Sequence, residues 1–250
     1  MATVDSFFVI RTMQALEVIA FQASSAPQVA EVLRVDARTA RRLLNRLTAE
    51  GWLVRTEGRV RMYTLSLRLV ALASHFLERT PLTTAATTVA RGLHEQTGGA
   101  AYVLIPSYRA VLVLAQCAAD RASRPHAREL IPAHATAGGK LLLAHRAPWR
   151  ESVLELPLER LTERTIVDPD ALRDECQLTL ERGYGFDDGE YLDALQSIAA
   201  PVPGESGDVM AAVALSGPPE LDVAARLDAV RAAARTLSEL FAEEPLARAA

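Results

Sequence analysis

The sequence is poor in the residues that cross-link a chain or anchor it. Cys117 and Cys176 are its only cysteines, and they stand far apart without a CxxC pair. This excludes a disulfide framework and a zinc knuckle, and it predicts a reducing, cytoplasmic compartment. No apolar run approaches the roughly 20 residues that a membrane span needs. The first residues show no basic head before an apolar core, so we expect neither a secretion signal nor a membrane partner.

Lysine is nearly absent as well. Lys140 is the only lysine among 27 basic residues, and all the others are arginines. Residues 1–80 hold eleven arginines against seven acidic residues, a net charge of +4, although the whole chain carries −4. A basic N-terminal segment followed by an acidic remainder predicts an anionic partner for the N-terminal segment alone. A solvated charged surface is the alternative explanation of the same count.

The front of the chain has the spacing of three helices. Apolar residues recur three or four positions apart over 6–21 and again over 28–33. A third helix is expected between Asp36, a suitable N-cap, and Gly51, a suitable residue just beyond a C-cap. Two short strand-like runs, WLVRT and RVRMYTL, follow.

The strand-like runs meet at Glu57-Gly58, which predicts a tight turn between them. Three helices followed by a hairpin are the order of a winged helix-turn-helix. Arg59 and Arg61 belong to this hairpin, where a wing can contact the DNA backbone. The wing is a second basic element, independent of the helices.

The third helix is predicted to have two opposite faces. An apolar stripe with i, i+3, i+4, i+7 spacing consists of Ala40, Leu43, Leu44 and Leu47. A polar stripe with the same spacing starts two residues earlier, about 200° around the helix, and consists of Arg38, Arg41, Arg42 and Asn45. Arginine can bond guanine and asparagine can bond adenine in the major groove, while Thr39 could reach a phosphate or a base. The alternative is a surface helix with solvated arginines.

The rest of the chain predicts a linker and a second domain. Residues 66–82 have helical periodicity, so we expect a linker helix between a DNA-binding domain at 1–65 and a larger domain at 83–250. Helical and strand-like segments in the larger domain follow one another in hairpin order. This predicts an α+β fold around a mostly antiparallel sheet.

The segment AHATAGGKLLLA, residues 133–144, raises the question of a nucleotide site. A Walker-type loop needs a glycine where His134 stands and a Ser or Thr where Leu141 stands, so the sequence fails both tests. Small residues at a helix start can instead let an anionic ligand approach the backbone N–H groups, and these residues are Ala137, Gly138 and Gly139. The alternative is close packing of the helix on a sheet.

No catalytic set assembles from the sequence. Its histidines lack metal-ligand spacing, and its serines lack a GxSxG context. Asp187, Asp188 and Glu190 cluster, and they form either an acid–base or metal site or a solvated acidic turn. We therefore expect no cofactor, metal or catalytic residue. Two alternatives stay open: a hydrolase or transferase domain fused to a nucleic-acid-binding module, and an architectural DNA-binding dimer without a ligand.

Three segments resemble the IclR family of transcriptional regulators. They are TARRLLNRLTAEGWLVR, HATAGGKLLLA and RGYGFDDGEYLDALQSIAAPV, which with VALSGP extend the resemblance over nearly the whole chain. The resemblance implies that the protein regulates transcription, as a repressor, and that it is not an enzyme. It also implies double-stranded operator DNA as partner, a small-molecule effector in the C-terminal domain, and homodimers that often pair into tetramers.

The resemblance further implies the residues that face the effector. By position they are the loop residues Ala137, Gly138 and Gly139, the acidic residue Asp187, and three strand residues, Ser197, Ala214 and Ser216. Ser197 stands where many members have cysteine, and Ala214 stands where some have serine. The pocket thus lacks a thiol and a hydroxyl relative to a glyoxylate- or pyruvate-type site, which implies a larger organic or aromatic acid.

Two charged residues leave questions at this implied pocket. Asp187 would repel a carboxylate directly beside it, unless the side chain is protonated or accepts a hydrogen bond from a ligand hydroxyl. Lys140 contacts the ligand, pairs with an acidic residue or faces solvent, and the sequence does not choose among these.

Overall fold

The computed structural model describes residues 2–56, 58, 60–79, 82–107, 109–119 and 125–242. Contacts between residues divide the chain into two compact units, Met1–Arg79 and Thr80–Ala250. Each unit has its own hydrophobic core.

The described residues of the first unit form four helices and a small antiparallel sheet. Its elements are α1 (Ala2–Phe21), β1 (Ser24–Ser25), α2 (Ala26–Leu33), α3 (Ala37–Ala49), β2 (Leu53–Thr56), β3 (Met62–Leu65) and α4 (Leu67–Arg79). The sheet has the strand order β1-β3-β2. The predicted order of three helices and a hairpin is confirmed, and β1 is an addition that pairs with β3.

The hairpin is wider than a two-residue turn. Thr56 pairs with Met62, so the strands are connected through 57–61 and the second strand starts three residues later than expected. Within this connection Arg61 is described and exposed, whereas Arg59 lies outside the described residues. Glu57, half of the predicted tight turn, lies outside the described residues as well.

Local hydrogen bonds explain where α3 begins and ends. Asp36 caps the helix: its carboxylate accepts from the Thr39 N–H at 2.9 Å and from the Thr39 hydroxyl at 2.7 Å. Gly51 has φ 78°, a left-handed conformation that favours glycine just beyond a helix. The predicted apolar stripe is buried and packs against α2 and β3; it consists of Ala40, Leu43, Leu44 and Leu47.

Helix α4 is shorter than the linker predicted over 66–82. Ser66 starts it, because its hydroxyl oxygen accepts from the Arg68 N–H at 3.3 Å and its O–H donates to the Gly51 carbonyl at 2.6 Å. The helix ends at Arg79, and Leu82 already begins the next helix. The division of the chain places α4 with the first unit.

The second unit is a six-stranded antiparallel sheet with helices on both faces. Its elements are α5 (Leu82–Thr97), β4 (Ala100–Ser107), β5 (Ala110–Cys117), β6 (Leu130–Pro132), α6 (Ala137–His145), α7 (Ala147–Leu154), α8 (Pro169–Arg182), β7 (Gly185–Asp188), β8 (Gln196–Pro203), β9 (Val209–Gly217) and α9 (Leu227–Ala242). The strand order is β6-β5-β4-β9-β8-β7. The predicted α+β class is confirmed. Of the described helices, none is long and apolar enough to cross a membrane.

Alternation along the strands assigns residues to the two faces of this sheet. Ala101 and Val103 belong to the core beneath α5 and α9, whereas Tyr102 and Leu104 belong to the core beneath α6. Ala214 of β9 lies opposite Tyr102 and shares its core. The face under α6 is therefore the one that carries the predicted effector residues.

Two details of the second unit were not predicted. The short strand β6 and a 3-10 turn at Ala133–Ala135 lead into α6. The last helix, expected from residue 221, starts only at Leu227. Asp222 interrupts it with φ 48°, and short 3-10 turns replace its first part.

Candidate functional site

One side of α3 is an exposed basic face. Arg38, Arg41, Arg42 and Asn45 are all exposed, on the side opposite the buried apolar stripe. Arg46 in the last turn is exposed as well and extends this face by one position. Sequence reasoning missed Arg46, although it stands four residues after Arg42 and so on the same side of the helix.

Two polar residues of α3 have internal partners. The Thr39 hydroxyl donates to Asp36 at 2.7 Å, so it serves the helix cap. The Asn45 side-chain oxygen accepts from the Tyr63 hydroxyl at 3.1 Å. Because an amide oxygen has two lone pairs, this bond leaves one acceptor position and the NH₂ donors of Asn45 available. Tyr63 is buried and thereby ties the exposed amide to β3.

A depression of about 390 Å³ joins α3 to the wing. It is lined by the start of α2, by Arg41 of α3, and by Val60, Arg61 and Tyr63. Two guanidiniums that are twenty residues apart in sequence thus border one concave surface of the first unit. Phosphate groups are held by such combinations of arginine and helix start.

In the second unit a small cavity lies between α6 and the sheet. Its volume is about 30 Å³, room for one or two water molecules. Six of the seven predicted effector residues line it: Ala137, Gly138, Asp187, Ser197, Ala214 and Ser216. The wall is completed by Tyr102, Leu104, Pro125, Ile131, Thr136, Tyr191, Leu192 and Leu195.

Gly139 does not line this cavity. A Cβ at Gly139 would lie 2.2 Å from the Ala133 carbonyl oxygen, so close packing against the preceding turn requires glycine here. The Gly139 N–H donates to the Thr136 hydroxyl at 3.2 Å, which caps α6. Ala137 and Gly138 remain at the cavity, and N–H groups in a first helical turn have no partner within the helix. The helix start can therefore receive an anion there.

Asp187 is the acidic group of the cavity. It is 2% exposed, and one carboxylate oxygen accepts from the Glu190 N–H at 2.7 Å. Burial, opposed by this hydrogen bond, raises the pKa of Asp187 to about 7. The side chain is therefore partly protonated at neutral pH, which is one of the two conditions under which it tolerates a carboxylate.

The remaining polar groups of the cavity are hydroxyls. Ser197 and Ser216 face each other across β8 and β9, and the Ser197 hydroxyl donates to the Ser216 hydroxyl at 3.0 Å. Burial raises the pKa of Tyr102 to about 12, so its phenol stays neutral. Among the lining residues that the structure describes, none is Lys, Arg or His.

Lys140 pairs with acidic residues and does not line the cavity. Its side chain is 1% exposed, and its ammonium group contacts the carboxylates of Glu190 and, at 3.3 Å, of Glu175. Glu175 in turn accepts from Arg182 at 2.7 Å. Of the three possibilities left open by the sequence, pairing with an acid is the one that is observed.

Features of a catalytic centre do not come together in the described parts of the chain. His134 is buried, and its ring contacts the backbone oxygen of Glu159 at 2.9 Å. Within the described ranges there is also no group of three His, Cys, Asp or Glu residues that could hold a metal ion. The cavity itself has mixed hydroxyl and apolar walls.

The sequence comparisons find bacterial transcriptional regulators. The family model of the C-terminal domain of bacterial IclR transcriptional regulators matches residues 74–239. The HTH-type transcriptional regulator BhcR of Paracoccus denitrificans is 31% identical over 239 residues, 91% of this chain and 85% of BhcR. The transcriptional repressor IclR of Escherichia coli K12 is 29% identical over 200 residues, 76% of this chain and 72% of IclR.

Solved structures share the fold. An IclR-type regulator from Silicibacter sp. TM1040 has a TM-score of 0.79 at 24% identity, covering 94% of this chain and 96% of that one. An IclR homologue from Microbacterium hydrocarbonoxydans, complexed with 4-hydroxybenzoate, has a TM-score of 0.68 at 24% identity, covering 95% and 100%. At these identities the likeness shows the fold alone.

Proposed function

Because the chain belongs to the IclR family of bacterial transcriptional regulators, we propose that it is a repressor controlled by a small organic or aromatic acid. We assign operator binding to residues 1–65, the link to α4, and effector binding to residues 83–250. Its curated relatives are named as regulators and repressors, not as enzymes. Operator binding would also place the protein in the cytoplasm.

The observation that carries the DNA-binding proposal is the pair of opposite faces on α3. The buried stripe packs the helix into the core of the first unit, and the exposed arginines take no part in that packing. We propose that Arg38, Arg42 and Asn45 contact base edges. Arg41, Arg61 and Arg59 are then contacts to the sugar-phosphate backbone, with Arg41 and Arg61 supported by the depression that they share. A phosphate contact from Thr39 requires its hydroxyl to turn away from Asp36.

Exposed apolar residues on two helices support a homodimer. Exposed apolar residues occur on α1 and α4 of the first unit, namely Val9, Ile10, Met13, Leu67, Val70 and Leu72. Leu67 is the most exposed of these residues, at 82%. A second copy of the chain would cover these residues, and a two-fold dimer matches a palindromic operator. Pairing of dimers into a tetramer is the larger assembly that we propose.

The DNA-binding proposal predicts specific, salt-sensitive binding to duplexes from the regions flanking the protein's own gene. Several arginines per protomer would release counterions from the DNA, so the affinity should fall by roughly 10³-fold between 50 and 200 mM salt. Fluorescence anisotropy with labelled duplexes measures this. Equal affinity for a scrambled duplex of the same length and composition would contradict sequence-specific binding.

The effector proposal follows from the chemistry of the cavity. The N–H groups at the start of α6 favour a carboxylate, the hydroxyls of Ser197 and Ser216 can bond a polar substituent, and Ala214 leaves an apolar surface beside them. The 4-hydroxybenzoate complex of a structural neighbour supports an aromatic acid as the class to test first. Such a ligand is larger than the 30 Å³ cavity, so lining side chains must move apart when it binds.

Acid binding should weaken as the pH rises. A ligand carboxylate favours neutral Asp187, whose pKa is about 7 in the free protein, so binding requires a proton that is lost above this pH. The affinity for a benzoate-type acid should fall by about tenfold between pH 6 and pH 8. Calorimetric titration with 4-hydroxybenzoate and benzoate, after a thermal-shift screen, measures the change.

Asp187→Asn is the matched variant for this experiment. It keeps an oxygen for the Glu190 N–H and removes the titrating group, so its affinity for the acid should be nearly constant over the same pH range. An acid that binds wild type equally at pH 6 and pH 8 would show that Asp187 does not face the ligand carboxylate. No thermal shift with any organic acid would refute this ligand class.

A further inference from the structure

A buried ion pair stands just outside the cavity. Lys140 and Glu190 contact each other through their side chains, and neither lines the cavity itself. We propose that this pair positions Asp187 for the effector and sets the charge that Asp187 carries. The inference rests on the proposed effector site and adds two residues that control it without touching the ligand.

Glu190 holds the turn that carries Asp187 in place through its hydrogen bonds. Its N–H donates to the Asp187 carboxylate at 2.7 Å, and its carbonyl oxygen accepts from the Thr165 hydroxyl at 2.7 Å. The Thr162 hydroxyl donates to the neighbouring Gly189 carbonyl at 2.7 Å. Backbone and side chain of Glu190 are thus both held, so its N–H presents a fixed donor to Asp187.

Lys140 connects this turn to two helices. It lies on α6, three residues after Ala137, which borders the cavity. Its ammonium group also meets Glu175 of α8 at 3.3 Å, and Glu175 is held by Arg182. A change in the position of Lys140 would therefore move the helix start and the Asp187 turn relative to each other.

Stability alone does not account for this pair. Removing two charges from water costs several kcal/mol per ion, and apolar residues of similar volume often fill such a place equally well. The second carboxylate oxygen of Glu190 is buried and has no hydrogen-bond partner among the described atoms. A buried acceptor left unpaired is destabilising. The pair is better explained by the field that its charges exert on Asp187.

The two charges act on Asp187 in opposite directions. The positive charge of Lys140 lowers the pKa of Asp187, and the negative charge of Glu190 raises it, on top of the larger effect of burial. The other titratable groups at the cavity are the phenols of Tyr102 and Tyr191. Farther out, Glu175 and Arg182 neutralise each other, and Asp188 pairs with Arg164 at the surface.

The opposite signs define the test. In the full-length protein with ¹³C-labelled aspartate, the Asp187 carboxyl signal is assigned by its absence in Asp187→Asn and titrated from pH 4 to 9. Glu190→Gln should lower the midpoint of Asp187 by about one pH unit, and Lys140→Met should raise it by about as much. The double variant, which removes both charges together, should return the midpoint close to that of wild type.

A merely structural role gives a different pattern. If the pair only held the turn closed, each variant would admit water, and all three midpoints would fall toward the ordinary value of an aspartate. That result, or unchanged midpoints, would overturn the inference. Arg164→Gln is the matched control, because it removes an exposed cation that contacts the same turn through Asp188 and should leave the midpoint nearly unchanged. If Lys140→Met does not fold, Glu190→Gln and the double variant decide the question.

The titration needs no effector, which separates this inference from the proposed function. Opposite shifts of the midpoint without binding of any organic acid would support the ion pair's role and contradict the proposed ligand class. Binding of 4-hydroxybenzoate with the same pH profile in wild type, Glu190→Gln and the double variant would contradict the ion pair's role and leave the ligand class intact.

Discussion

Replacing Arg41 and Arg42 together by alanine should weaken operator binding by at least about 30-fold at 100 mM salt. Each guanidinium that contacts a base or phosphate contributes roughly 1–3 kcal/mol, and tenfold in affinity corresponds to about 1.4 kcal/mol. Both side chains are exposed, opposite the buried stripe of α3, and alanine is the best helix former. The fold should therefore survive, as circular dichroism would verify.

The single variants should differ in kind. Arg41 borders the depression shared with Arg61, so Arg41→Ala should weaken all duplexes alike and reduce the salt slope by about one per protomer. Arg42→Ala should instead bring the affinity for the operator closer to that for a scrambled duplex. Arg235→Ala, an exposed arginine on α9, is the matched control and should leave both affinities unchanged. Wild-type affinity in the double variant would show that α3 is not the element that contacts DNA.

Gly139→Ala should destabilise the second unit by roughly 2–4 kcal/mol. The added Cβ would lie 2.2 Å from the Ala133 carbonyl oxygen and 2.6 Å from the Thr136 hydroxyl oxygen. Overpacking costs about 1–3 kcal/mol, and disturbing the Thr136 cap costs about 1 kcal/mol more. The obstructing atoms are mainly backbone, which cannot rotate away. Urea unfolding of the full chain measures the loss.

The chain offers a matched control and a clean probe for this experiment. Gly92 lies inside α5 with no heavy atom within 4 Å of an added Cβ, so Gly92→Ala should stabilise by about 0.5–1 kcal/mol. The two tryptophans lie one in each unit, and in a Trp52→Phe background the fluorescence of Trp149 reports the second unit alone. An unfolding midpoint of Gly139→Ala equal to that of its parent would return Gly139 to the role of ligand contact.

Features that depend on near neighbours in the chain were predictable. The bounds of α3 follow from Asp36 at one end and Gly51 at the other, because caps act over three or four residues. The opposite faces of that helix follow from its period alone. Two predictions of element bounds were wrong. The left-handed backbone of Asp222 shortens the last helix, and the pairing of Thr56 with Met62 makes the hairpin connection longer than the expected turn.

Pairing between distant segments could not be derived from residue patterns. Strand pairing places Tyr102 opposite Ala214, more than a hundred residues later in the sequence. It also places Ser197 opposite Ser216, nearly twenty residues later. Tyr102 and Tyr191 were missed as cavity residues because no local pattern marks them. A resemblance to known regulators supplied the other positions, but it could not say what surrounds them.

The sequence by itself determined the class of the protein: caps, helical period and the asymmetry of charge are written in neighbouring residues, and with the family motifs they define a DNA-binding regulator. Only the tertiary structure decided the roles within AHATAGGKLLLA. Gly139 is required by packing against Ala133, Ala137 borders the cavity, and Lys140 is buried against Glu190, fifty residues away. The reason is physical: burial and charge pairing depend on which distant segments meet, and a linear pattern does not contain that information.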